Sequence, residues 1–509
     1  MLVAGRRTGV PRLAGVVVLV LATALGAVAC ARAAPGAQPS VRAGPHLTAQ
    51  VEPVSPGVSV LAGGPDVLAA GMARALFSSA PVVVVAGAGR PASVPAAAAW
   101  AGRAHAPLLL ATGTRAGAAT RAEIASLHPR AVLAVGVRRA ALAAQLPGTQ
   151  VVTHPAALPP TSAFRPLSRV VVLVHRGTAG TVAAAVATAR AAGAQVITVP
   201  GSDPRAVPAA ISALAAARPR RVIALGARFG PVGLLRARLA VAETGVQLPG
   251  GGQVLFPARR LVALYGHPGT PSLGALGQQD LPASIARASQ LAAHYQRLSS
   301  VPVIPAFEII ATVAEGSPGP DGSYSYQTPV RVLRPWVQRA SAAGLYVVLD
   351  LQAGRASLLR QARVYAPFLD RPNVGLALDP EWKLQPGQRP LQQIGSVSAA
   401  QVNTVSNWLA GLTARRHLPQ KLLVLHQFRL SMLGHEQRID TRHDDLAIVI
   451  HMDGQGTPAD KQQTWQAVTA AAPRHVFFGW KNFYTKDHPM LTPRQTMARA
   501  PQPVMISYQ

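Results

Sequence analysis

Glu308, Asp350, Asp379, Glu381, His426, His451 and Asp453 each sit at or just past the end of a short apolar run in the second half of the chain. Side chains two apart on a strand point the same way, so Asp379 and Glu381 share a face, as do His451 and Asp453. Burying several carboxylates together is costly unless they share protons, pair with cations or bind a ligand. Such crowding raises some pKa values and lowers others, which gives one site both an acid and a base. Glycoside hydrolysis needs that pair, and Trp382, Trp480 or Tyr508 offers a stacking surface for a sugar ring.

The runs that must position these residues are Leu261–Tyr265, Val303–Glu308, Tyr346–Asp350, Val374–Asp379, Leu422–His426, Leu446–His451, His475–Trp480 and Val504–Tyr508. Most of the intervening segments have helix-forming composition. Eight strands alternating with helices in about 250 residues is the arithmetic of a (β/α)8 TIM barrel, whose chemistry sits at the C-terminal ends of its strands. In the fourth run Leu376 and Leu378 face the helices, while Gly375, Ala377, Asp379 and Glu381 face the axis. The same parity groups Asp350 with Gln352 and turns Ile448, Ile450 and Met452 outward. Glu308 and His426 come from strands two and five, and strand seven delivers Trp480 or Lys481. The expected catalytic set is Glu381, Asp379, Asp350, Glu308 and Asp453. Tyr265, His267, His426, His451, Trp480 and Tyr508 form the expected substrate-binding set.

Other chemistries have less support. His426, His451, Asp453 and Glu308 are acceptable metal ligands, but strand one carries Tyr265-Gly-His267 rather than His-x-His. His435-Glu436 lacks the second histidine of His-Glu-x-x-His, and His443-Asp444-Asp445 precedes strand six, at the wrong end for catalysis. No phosphate-binding glycine motif lies at a strand–helix junction, and Gly-x-Ser-x-Gly is missing, so no metal or organic cofactor is expected.

The chain has 509 residues and a formal charge of +29, although only 14 % of it is charged. Residues 1–255 hold 24 Lys+Arg against 5 Asp+Glu, with no lysine, and residues 256–509 hold 25 against 15. That excess suits a polyanionic partner, and equally a GC-rich coding bias. No basic run is interleaved with aromatics, so nucleic acid is not an expected partner. Arg6, Arg7 and Arg12 precede an apolar stretch from Leu13 to Val28, the pattern of a signal peptide. Cys30 is the lone cysteine, which excludes intramolecular disulfides. Its place after Ala27-Val28-Ala29 resembles the lipobox of bacterial lipoproteins. That resemblance implies acylation at Cys30 and a lipid anchor on the extracytoplasmic face of the membrane.

Two segments match at a spacing of 90 residues: His128-Pro-Arg-Ala-Val-Leu-Ala-Val-Gly136 and Arg218-Pro-Arg-Arg-Val-Ile-Ala-Leu-Gly226. Upstream, Pro81–Ala86 corresponds to Arg169–Val174 and Pro107–Ala111 to Gln195–Val199, with Ala-rich helix formers between. Continuous Val/Leu/Ile runs are the mark of parallel strands covered on both faces. The chain thus divides into a leader over 1–29, a flexible tether over 30–55, a repeated parallel α/β module over 56–255 and the barrel over 256–509, with a short connector near Gly250-Gly-Gly252.

The order Pro-Val-Val-Val-Val-Ala (81–86), Ala-Pro-Leu-Leu-Leu-Ala-Thr (106–112) and Arg-Ala-Val-Leu-Ala-Val-Gly (130–136) resembles the cell wall-binding repeat 2 family. The resemblance implies non-covalent attachment to cell-wall polysaccharide or another anionic envelope polymer. Asp379-Pro-Glu381-Trp382 resembles the strand-four Asp-x-Glu signature of wall-degrading and chitinase-like glycoside hydrolase barrels. That implies Glu381 as proton donor and Asp379 as its tuner, with Glu308, Asp350 or Asp453 assisting a nucleophile or water. The expectation is an anchored envelope lipoprotein whose barrel cleaves a glycan; the alternative is a catalytically silent glycan-binding scaffold.

Overall fold

The computed structural model describes residues 46–113 and 115–509, of which 46–509 form one compact unit. The leader and Cys30 lie outside the described residues. Each of the eight expected apolar runs is a strand: β1 (Arg260–Gly266), β2 (Val303–Ala314), β3 (Tyr346–Leu351), β4 (Val374–Leu378), β5 (Lys421–Gln427), β6 (Leu446–Met452), β7 (Phe477–Asn482) and β8 (Met505–Tyr508). All pair in parallel in that order, and β1 pairs with both β2 and β8, so the sheet closes into a barrel. Period-two alternation decides which residues fill it. Leu261, Ala263, Ile304, Ala306, Tyr346, Val348, Ala377, Leu422, Val424, Ala447, Val449 and Met505 share the inner core. Their alternates, among them Val262, Phe307, Leu349, Leu376, Ile448 and Ile506, pack outward against helices.

Those helices are α1 (Leu281–Gln296) after β1, α2 (Val330–Ala342) after β2, α3 (Leu358–Val364) and α4 (Ala366–Leu369) after β3, α5 (Ala399–Arg415) after β4, α6 (Pro458–Ala471) after β6 and α7 (Pro493–Met497) after β7. Their starts are written locally. Asp280 and Ser357 accept from backbone N–H groups, and Ser398/Gln401, Thr457/Asp460 and Thr492/Gln495 form reciprocal capping boxes. One part of the expected (β/α)8 pattern is corrected. Between β5 and β6 stand two 3-10 turns, Leu430–Met432 and Glu436–Arg438, and the two-residue strand Leu433–Gly434, with no α-helix. His435 in the left-handed region interrupts that stretch, and buried Met432, Leu433 and Ile439 cover the strands where a helix was expected.

Residues 46–255 hold two two-stranded sheets and two larger ones. One has the spatial order Arg115–Ala116, Leu108–Thr112, Val82–Gly87, Ala131–Val135, Gln150–Val152; the other runs Gln195–Val199, Val170–His175, Arg221–Leu225, Gly57–Leu61. His128 and Arg218, which open the two matching sequence segments, both adopt left-handed φ (50° and 41°) as helix C-caps. The proline after each cannot continue a helix, so the matched residues do the same local job. The tether is shorter than expected. Leu47–Thr48 pairs with Thr161–Ser162, and Gln50–Val51 with Phe77–Ser79, because Ala49 and Val51 have apolar surface to bury. No helix among the described residues is long and apolar enough to cross a membrane.

The connector near Gly250–Gly252 is packed rather than loose. Leu248, Leu255 and Phe256 join the inner core at the N-terminal ends of the barrel strands. Buried Arg259 donates to the carbonyls of Pro249, Gly251, Val254 and Leu255. Gln420 accepts from Leu255 N (3.0 Å) and donates from its own N to Gln253 O (2.8 Å). Asp444, ahead of β6, bridges Arg205 (2.6 Å) and Arg238 (2.6 Å) of the first half. Only 2 % of the Arg205 side chain is exposed, so losing a partner there leaves charge out of water. Asp444→Asn is expected to lower stability by about 1–3 kcal/mol, Asp203 retaining part of the interaction; denaturant unfolding of the full chain checks this.

Candidate functional site

Above the two apolar layers, every strand of the barrel supplies one inward polar side chain at its C-terminal end: Tyr265 (β1), Glu308 (β2), Asp350 (β3), Asp379 (just past β4), His426 (β5), His451 (β6), Lys481 (β7) and Ser507 (β8). Parity dictates the set, since each lies two residues beyond an inner-core position or glycine on its own strand. Asp453 and Glu381 stand one step higher, after β6 and β4, with Glu381 in a 3-10 turn over Pro380–Trp382.

His426 is the hub. Its Nε2 donates to Glu308 Oε1 at 2.9 Å and lies 3.9 Å from Asp350 Oδ1. Its Nδ1 lies 3.2 Å from Asp453 Oδ2, off the N–H line, as an ion pair rather than an aligned hydrogen bond. Burial alone would lower the His426 pKa, but Glu308 and Asp453 outweigh it and hold the pKa well above the ordinary range. His451, edge-on to His426 at 5.2 Å between ring centres, goes the other way: burial and the His426 charge hold its pKa well down. Its Nε2 meets Ser507 Oγ at 2.7 Å. Gly479 makes room for it, because a Cβ there would overlap His451 Nδ1. Tyr265 donates to Asp350 Oδ2 (2.8 Å), accepts from Gln352 Nε2 (3.2 Å) and carries the Lys481 ammonium 3.4 Å from its ring centre.

The carboxyls diverge. Burial raises Asp350 to about 6, against the pull of His426. Burial and the neighbouring Asp350 charge push Asp379 well above the usual carboxylate range. Burial and Asp453 raise Glu381, with Lys481 opposing. For Asp453 burial pulls upward too, but the contact with His426 prevails and its pKa is lowered. Above this floor opens a pocket of about 390 Å³ whose lining includes Tyr265, Gln352, Asp379, Glu381, Asp453 and Lys481, with Trp382, Leu391, Phe428 and Phe483 as its apolar part.

Of the expected residues, Asp379, Glu381, Asp453 and Tyr265 line the pocket, whereas Glu308, Asp350, His426 and His451 lie beneath it as its charge support. Three placements are corrected. Trp480 points into the strand–helix layer, edge-on to Trp465 at 5.5 Å with its N–H on Asn482. Tyr508 faces the same layer, its OH 2.6 Å from that of Tyr295. Neither meets the pocket, because on β7 and β8 it is Lys481 and Ser507 that point inward. His267 braces a loop through Thr270 and Thr328, each at 3.0 Å. Sequence reasoning missed Ser507, Phe428, Phe483 and Lys486; strand parity, counted from Met505 and Gly479, was the signal for Ser507 and Lys481. Among the described residues no group of three or more His, Cys, Asp or Glu is arranged to hold a metal ion, and the His426 nitrogens face carboxylates already in place.

Fold and site together define a mixed α/β protein with a closed eight-stranded parallel barrel and a polar, acid-rich centre at the C-terminal ends of its strands. No protein family matches the chain, and no curated protein matches it. Among solved structures it is similar to Cwp6 from Clostridium difficile, at 12 % identity over 64 % of this chain and 63 % of that one, so less than two thirds of Cwp6 is spanned. The TM-score of 0.18 does not amount to a shared architecture.

Asp350 links the site to stability. Its folded pKa, about 6, lies above its unfolded value of roughly 3.9. A raised folded pKa gives stability that is fully present below the unfolded value and is lost as pH rises through the folded one. The melting temperature is therefore expected to fall as pH climbs from about 4 past 6. Asp350→Asn, which keeps an acceptor for Tyr265, should flatten that part of the profile; an unchanged slope in thermal melts refutes the assignment.

Proposed function

We propose that this chain is a membrane-tethered, wall-associated lipoprotein whose barrel hydrolyses a glycan, with Glu381 as proton donor and Asp453 as its ionised partner. One observation carries the catalytic part: Glu381 and Asp453 line the same pocket, but only Asp453 has the His426 ring beside it, at 3.2 Å. Burial therefore favours the protonated form of the first, while His426 favours the ionised form of the second. Protonated Glu381 delivers its proton to the glycosidic oxygen as the bond to the anomeric carbon breaks. Asp453, held ionised by His426, stabilises the positive charge developing on that carbon. Asp379, deeper and protonated, keeps a second negative charge away from Glu381. Trp382, Phe428 and Phe483 supply apolar faces for a sugar ring. Anchoring is supported by the charged, apolar and Cys30 segments of the leader. Wall attachment is supported by the strand motifs of the first half and its arginine surplus, including Arg90 and Arg190 on a groove of about 770 Å³.

Incubation of the purified chain with fragmented envelope polysaccharides, read by mass spectrometry, is the primary test. Glu381→Gln is expected to cut turnover by about 10²–10⁴-fold without unfolding the protein; a wild-type rate in that variant removes Glu381 from the mechanism. The rate should fall as pH rises through the raised Glu381 pKa, which strips the acid of its proton. It should fall again as pH drops through the lowered Asp453 pKa, which neutralises the partner. Retention or inversion at the anomeric carbon then reports whether Asp453 attacks the sugar or takes a proton from water. Saturable glycan binding with no product favours the silent scaffold. Separately, Cys30→Ser is expected to move the protein from the membrane to the soluble fraction, and persistent lipid labelling of that variant excludes acylation at this residue.

A further inference from the structure

Among the described residues Lys481 is a buried cation on the pocket wall with no ion-pair partner. It is 3 % exposed and lines the cavity, yet among the described residues its Nζ forms no ion pair and no hydrogen bond. Two aromatic faces hold it instead, Tyr265 at 3.4 Å and Phe483 at 5.3 Å from the ring centres. Contacts with ring faces fix an ammonium by its charge and leave its N–H donors free to turn elsewhere. Asp350, Glu381 and Asp453 feel the Lys481 charge, but none lies within ion-pair distance of its Nζ, and Asp487 Oδ2 on the same loop pairs with Lys461 Nζ at 2.6 Å. Lys461 also donates to Lys481 O (2.7 Å), and Asp487 accepts from Phe483 N (2.9 Å) and Gly456 N (3.2 Å). The loop after β7 is thus pinned by a buried pair, and a second cation, exposed Lys486, stands on it at the pocket wall. Asp453, the pocket's ionised acid, lies 3.2 Å from His426 Nδ1 and makes no ion pair with Lys481.

Resting on the glycan reading above, we infer that the barrel pocket selects a sugar bearing an anionic substituent, a carboxylate or a phosphate ester, which Lys481 and Lys486 receive. An ammonium on a pocket wall with no direct anion contact gains a charge-assisted hydrogen bond from an incoming anion. A neutral sugar fills the same space without that bond. Discrimination of about 10- to 100-fold is expected from one charge-assisted contact.

The test uses the full chain carrying Glu381→Gln, so that binding is read without turnover. It is titrated calorimetrically with a uronate-bearing oligosaccharide, a phosphate-bearing one and the carboxyl-reduced twin of the first. The acidic ligands should bind at least tenfold more tightly than the neutral twin, with an advantage that shrinks as salt is added. Whichever acidic ligand binds better identifies the substituent. Lys481→Met should abolish the advantage, Lys486→Met should reduce it, and Lys481→Arg should keep most of it. If Lys481→Met does not fold, Lys486→Met and the salt series still decide. Equal affinity for acidic and neutral ligands, equal loss for both in Lys481→Met, or no binding at all overturns the inference. Tight binding of the acidic ligand with no cleavage by the unmutated chain sinks the hydrolase reading alone. Cleavage of acidic and neutral glycans at the same rate sinks only this one.

Discussion

One imidazolium makes the barrel centre affordable. Glu308, Asp350 and Asp453 come from three different strands or their extensions, and all three stand within 4 Å of a His426 nitrogen. Without that positive charge, burial would drive Asp350 and Asp453 toward their neutral forms. With it, Asp453 stays ionised, while burial and the neighbouring carboxylates drive Glu381 and Asp379 to hold their protons against its pull. The chemical asymmetry of the pocket combines burial, which raises Glu381 and Asp379, with one buried imidazolium, which lowers Asp453.

The apolar layers below keep that arrangement strong. Closely packed Leu, Val, Ile and Ala fill the barrel down to Phe256 and Leu255, so water has no route to the carboxyls from beneath. Charges separated by a few ångströms in such a medium interact far more strongly than they would at a surface. His451 shows the same rule from the other side. There burial and the His426 charge outweigh the pull of Asp453, so it stays neutral and meets Ser507.

Much of this was legible in the residues. All eight barrel strands follow from apolar runs, and Tyr265, Glu308, Asp350, Asp379, His426 and His451 follow from counting in twos along them. On β7 and β8 the apolar runs alone leave the phase open, and only Gly479 and Met505 fix it. Phe477, Phe478 and Trp480 are all large and apolar, and the inward position between them is Gly479. The absent helix between β5 and β6 was hidden because buried Met432, Leu433 and Ile439 give enough apolar content to suggest one. Contacts between residues more than 200 positions apart, such as Arg205 with Asp444, leave no local trace, so an acid before β6 looked idle when it was a clamp.

The seam beneath the barrel has a mechanical meaning. Salt bridges, a threaded glutamine and a buried arginine weld the first half to the end of the strands opposite the opening, in place of a pivot. Whatever immobilises that half therefore also fixes where the opening is and which way it looks. The reachable volume becomes a small patch at a set stand-off, about one strand length from the weld, and any target must diffuse or be threaded to that patch.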